Sequence, residues 1–270
     1  FGPSSELVDR YADKTISDQE PQDKRIQGLI YQYIRTHLAP DPKTGRRQRV
    51  MMLVFKGEDA VRKTRAVVGS FRPGRHGGET IRDTYGDLIL DSDGEVRYFE
   101  PAVLAAPTPA EAQEKLKLWA RYSDTDGGVL ENVIDYGQGE VPQRTLVLIK
   151  PDNFRFPTGR PGNMIDFFSK TGLFIVGIRI VRMSCAQALE FYGVVREVLR
   201  TKLKRVVGSK AKDALETALE ISIPEEQERQ LGEMLGPLFG DSQFASIIRF
   251  MSGRTPSECP ASEINRPGTE

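Results

Sequence analysis

The residues best suited to chemistry lie where RTLVLIKPD (residues 144–152) runs from apolar and β-branched side chains into a lysine, a proline and an acid. Thr145 and the run from Leu146 to Ile149 suit a central strand covered on both faces. Pro151 cannot continue a ladder, so Lys150 is left at the carboxyl end of that strand, where sheets with helices on a face bind ligands. An ammonium group there suits a phosphate; the plain alternative is a solvated strand end. A second cationic stretch, SFRPGRHGGETIRDTYGD (residues 70–87), carries too many glycines and prolines for regular structure. Its length and arginine content favour a functional loop over a mobile, positively charged excursion.

Several elements are expected to position these groups. After Lys150, Pro161 opens a helix over residues 160–171, residues 173–181 alternate as a second strand, and Ser184 caps the helix SCAQALEFY. Before it, Ile26, Leu29, Ile30, Tyr33, Ile34 and Leu38 recur at helical spacing, with His37 at the surface near that helix's end. Residues 49–55 read as a strand, EDAVRKTRAVVG as a helix closing on Gly69, and TPAEAQEKLKLWARY as a helix capped by Thr108 with Trp119 as a core anchor. Residues 124–143 form a linker. Beyond Tyr192 the chain reads as helical, in REVLRTKLKRVVG, AKDALETALE, PEEQERQLGEMLG opened by Pro224, and FASIIRFMSG.

Composition narrows the classes of function. The 270 residues allow one large or two modest domains. With 38 basic and 38 acidic residues, no overall field draws the chain to nucleic acid or to an anionic membrane. Two cysteines are too few for a disulfide framework and lack metal-ligand spacing, which fits a reducing cytoplasm. No apolar run approaches the ~20 residues of a membrane span, and no signal peptide is visible. The chain begins at Phe1 without methionine, so processing or truncation at the front is expected.

RTLVLIKPDNF, GNMIDFFSKTGLFIVGIRIVRMS and ALEFYG together resemble the opening half of nucleoside diphosphate kinases. The resemblance implies that Lys150 touches the nucleotide phosphates and that Tyr192 lies in the active site. MLVFKGEDAVRKTRAVVG, ETIRDTYGD and AEAQEKLKLW resemble the second half of the same family, arriving first in this chain. They imply that Arg65 and Arg82 bind phosphate, a task suited to a planar fork that grips two oxygens. FASIIRFMSG resembles the helix leading into the family's third strand, which implies that Phe244 stacks under the base; a core phenylalanine is the other reading.

The fold so implied is α/β (α+β), a ferredoxin-like antiparallel sheet with packed helices. A faint repeat supports a tandem, since FGPSSELVDRY parallels FYGVVREVLR and IQGLIYQYI parallels FASIIRFMSG. Residues 1–123 would be the later part of a first kinase-like repeat. Residues 144–270 would be the earlier part of a second, with a helical extension. The ligand implied is a nucleoside di- or triphosphate with Mg2+, in a homo-oligomer.

The family's chemistry runs through a histidine that takes up the terminal phosphoryl group. Its position here falls on Leu104, and no histidine follows His76. Other family positions read Pro101, Phe71, Ala106 and Lys115, the last where the family has a glutamate. The expectation is therefore nucleotide binding without transfer. The alternatives are an active kinase whose histidine lies in a part not present here, and a non-enzymatic interaction scaffold.

Overall fold

Local signals set most helix boundaries in the computed structural model, which describes residues 1–15, 24–71 and 78–264. The chain runs α1 (Ser5–Asp13), α2 (Lys24–Tyr33, continued by a π turn Ile34–Leu38), α3 (Ala60–Val68), α4 (Ile81–Tyr85), β1 (Asp87–Leu90), β2 (Val96–Glu100) and α5 (Pro109–Arg121). A 3-10 turn (Pro151–Phe154) precedes α6 (Arg160–Ser169), α7 (Cys185–Tyr192), α8 (Val195–Lys202), α9 (Lys204–Leu219), α10 (Glu225–Ser252) and α11 (Ala261–Ile264). Thr108 caps α5 by accepting the Glu111 amide, and Ser184 caps α7 in a reciprocal box with Gln187. Gly69 closes α3 at φ 85°, where a Cβ would lie 2.1 Å from the Thr80 hydroxyl oxygen, so only glycine fits.

The described residues fall into two compact units, Phe1–Gln143 with Phe174–Arg179, and Arg144–Leu173 with Ile180–Glu270. In the first, α1, α2 and α5 meet over Leu7, Val8, Tyr11, Ile30, Ile34, Leu118 and Trp119. Trp119 is 4% exposed and meets the rings of Phe1 and Tyr11 edge-on, as the anchor role requires. In the second, Ala188 of α7 and Phe244, Ala245, Ile248 and Met251 of α10 form the core with Cys259 and Ile264.

Close packing shapes the second unit further. A Cβ on Gly208 would lie 2.7 Å from the Glu228 carbonyl, and one on Gly240 would lie 2.7 Å from the Arg200 backbone. Glycine thus lets α8 and α9 approach α10 nearly backbone to backbone. Gly240→Val is expected to force α8 off α10 and cost about 2 kcal/mol, read as a lower urea midpoint in equilibrium unfolding.

The structure is mixed helix and strand, with a small two-stranded antiparallel sheet and many helices. The ferredoxin-like sheet is not confirmed: among the described residues the only ladder joins β1 to β2, with Leu88 opposite Phe99 and Ile89 opposite Tyr98. Residues 49–55, 144–149 and 173–181, read as strands, form no ladder. Val50 exchanges backbone bonds with Phe1, and Val176 accepts one from Leu130. Leu146 and Ile180 are 78% and 83% exposed. Alternating or apolar patterning states that a segment fits a pleated surface; cross-strand neighbours supply the stability.

Three further expectations change. Residues 70–87, read as irregular, contain α4, capped by Thr80. The two helices read at 224–253 are one, since α10 runs through Pro237 without a break. Cys185 and Cys259 form a disulfide across 74 residues, so the cysteine count carries no argument for a reducing compartment. No helix among the described residues is long and apolar enough to cross a membrane.

Candidate functional site

The first unit holds a cavity of about 1050 Å³ bordered by α3, α4, the turn before α5 and the faces of α1 and α2. This is at the upper end of the size range of small-molecule sites. Its basic side chains are Arg62, Arg65, Arg82 and Lys115, its acids are Asp59 and Glu111, and Tyr11, Ile26, Ile30 and Phe71 add apolar surface. Arg65 reaches it from the last turn of α3 and Arg82 from the short α4. Leu104 lies in the turn between β2 and α5 and lines the same cavity.

Arg82 is held by backbone oxygens. Its guanidinium donates to the carbonyls of Gly69 (2.6 Å), Val103 (2.9 Å) and Pro101 (3.4 Å) and lies 3.5 Å from the centre of the Phe71 ring. Burial draws its pKa down to about 10, with the charge of Arg65 acting in the same direction. Arg65 donates to the Pro107 carbonyl at 3.2 Å. Neither arginine has a carboxylate partner among the described residues. The other two cations are neutralised, Arg62 by Asp59 and Lys115 by Glu111 at 3.2 Å, the latter pair only 12% and 18% exposed.

This arrangement can hold an anion. Among the described residues it offers no nucleophile of the expected kind, because the described lining includes neither histidine nor cysteine and Leu104 presents hydrocarbon. His37 is exposed, stacks on Tyr33 with ring centres 4.4 Å apart and sits at the end of the π turn, as the surface reading had it. His76 falls outside the described residues.

Arg65, Arg82 and Leu104, assigned from separate motifs, therefore border one cavity. Lys150, Tyr192 and Phe244 belong to the second unit. Lys150 is exposed at the head of the 3-10 turn, where its carbonyl accepts the Asn153 amide at 3.1 Å. Tyr192 ends α7, half-buried, with its ring edge-on to Phe191 at 4.9 Å. Phe244 is 1% exposed within the core of α7 and α10, which agrees with the core reading; its ring has no open face for a base. Sequence reasoning missed Lys115 and Arg62 as cavity residues. Their signal was the acid at i−4 or i−3 on or beside a helix, which marks an ion pair but not what the pair faces.

Fold and site define a mixed helix and strand chain with a cation-lined cavity suited to an anionic ligand. No family model and no solved structure matches the chain. Part of it is similar to the nucleoside diphosphate kinase of Staphylothermus marinus, at 44% identity over 54 residues, 20% of this chain. The matched part spans 37% of that relative's length, so the similarity links a portion of the chain to the family.

Proposed function

We propose that this chain is a nucleoside diphosphate kinase-like nucleotide-binding protein that lacks the covalent phosphotransfer step. The observation that carries the reading is the cavity bordered by Arg65, Arg82 and Leu104, with two arginines lacking carboxylate partners among the described residues and leucine where the family's nucleophile belongs. The ligand is a nucleoside di- or triphosphate whose phosphates lie against the two guanidinium groups. Lys150 and Tyr192 are nucleotide-binding residues by resemblance alone, and both belong to the second unit. Phe244, enclosed in the core, has no part in it. The chain acts as a homo-oligomer, by resemblance.

The resemblance also brings in Mg2+ with the nucleotide, where it would neutralise the phosphates. Asp59 and Glu111, the carboxylates at the cavity, are each engaged by a cation, and no cluster of three or more metal-ligating side chains occurs among the described residues. This donor set does not suit a resident metal.

Calorimetric titration with ATP and ADP tests the proposal. Saturable heat is expected, weakened about tenfold or more by Arg65→Met, which removes a charged hydrogen-bond donor from an exposed position. Incubation with γ-labelled ATP is expected to leave no acid-labile label on the protein. Absence of binding would leave only a scaffold, and a stable acid-labile label would overturn the pseudoenzyme reading.

A further inference from the structure

We infer that the cavity binds the polyphosphate tail of its nucleotide without a divalent metal, the protein's own cations taking the place of Mg2+. The inference rests on the nucleotide reading above but goes beyond it, because metal-borne nucleotide is what the family resemblance implies.

Charge at the cavity carries the argument. Among the described lining residues four basic side chains face two carboxylates, and the two ion pairs leave Arg65 and Arg82 without a carboxylate partner among them. Lys115 stands where the family has a glutamate, so this wall has exchanged an acid for a base. A polyphosphate arriving bare carries the charge that these guanidinium groups lack. One arriving with Mg2+ is already partly neutralised and attracts them less. Arg82 is partly buried, where its attraction for an anion is weakened less by water and salt than at an open surface. A bound anion would also relieve its repulsion by Arg65 and return its pKa toward the usual range.

Chemistry gives no reason to keep the metal. In phosphoryl transfer a divalent ion stabilises charge that develops on the transferring group and the leaving oxygen. With Leu104 at the nucleophile's position no such charge develops, and what is left for the site is recognition of the ground-state anion.

The test is calorimetric titration of the full chain with ATP in excess EDTA and again in excess MgCl2, with inorganic tripolyphosphate as competitor in EDTA. The expected result is binding in EDTA at least as tight as in MgCl2, competition by tripolyphosphate, and a loss of about tenfold or more in EDTA for Arg65→Met. Binding that requires Mg2+, or is tenfold tighter with it, overturns the metal-free grip while leaving the nucleotide reading intact. Failure of tripolyphosphate to compete, or unchanged affinity in Arg65→Met, overturns it as well, since recognition would then lie elsewhere. No binding in either buffer overturns both readings.

Discussion

Cutting the Cys185–Cys259 bridge should lower the stability of the second unit by about 4 kcal/mol, the largest single effect expected in this protein. The bridge joins residues 74 positions apart and so removes much loop freedom from the unfolded chain. The core it borders is small, formed by one face of α7, the later turns of α10 and the α11 segment. Cys259 is fully buried, so serine there would add an unpartnered hydroxyl to the lost bond; Cys185→Ser, at the half-buried first position of α7, isolates the bridge more cleanly. Chemical denaturation with and without a dithiol reductant gives the measurement. The parent should lose stability on reduction, while Cys185→Ser should sit at the reduced value in both buffers. Identical midpoints for parent and variant would show that the bridge contributes nothing.

The second large effect is at Arg82. Arg82→Met should destabilise the first unit by about 3 kcal/mol, because three carbonyls lose a charged donor and Phe71 loses its cation. The figure is smaller than the sum of the bonds because the folded state already holds this charge at a desolvation cost, visible in a pKa drawn down to about 10. The sign follows from linkage. A base whose pKa falls on folding makes the unfolded chain the better proton binder, so this group's contribution to stability improves as pH rises through about 10. Arg82→Lys keeps a charge but not the fork that spans Gly69, Pro101 and Val103, so in thermal melts it should resemble Arg82→Met more than the parent. A lysine variant as stable as the parent would show that charge alone, rather than the carbonyl clamp, is what the turn before α5 requires.

Arg82 also shows how far the site was legible in advance. Motif order placed Arg65, Arg82 and Leu104 on different elements, and all three border one cavity. Motif identity did not reveal that Arg82 would spend three donors on backbone carbonyls. Those partners lie 13, 21 and 19 residues away, and their distance is set by how α3, α4 and the turn pack. Lys115 was legible as a lost glutamate, whereas its pairing with Glu111 at the cavity wall required the helix to be docked.

What the sequence determined by itself is what lies within a turn or two of chain: the caps at Thr108 and Ser184, the stop at Gly69, and the helical periodicity that buries Ile30 and Ile34. These depend on hydrogen bonds and side-chain directions over three or four residues, which residue type largely dictates. Tertiary structure decided whether residues 49–55, 144–149 and 173–181 find ladder partners, whether Phe244 shows a face to a ligand, that α10 passes Pro237 unbroken, and that Cys185 meets Cys259. Each of these outcomes turns on groups distant in sequence competing for the same neighbour, and residue type alone does not choose between competitors.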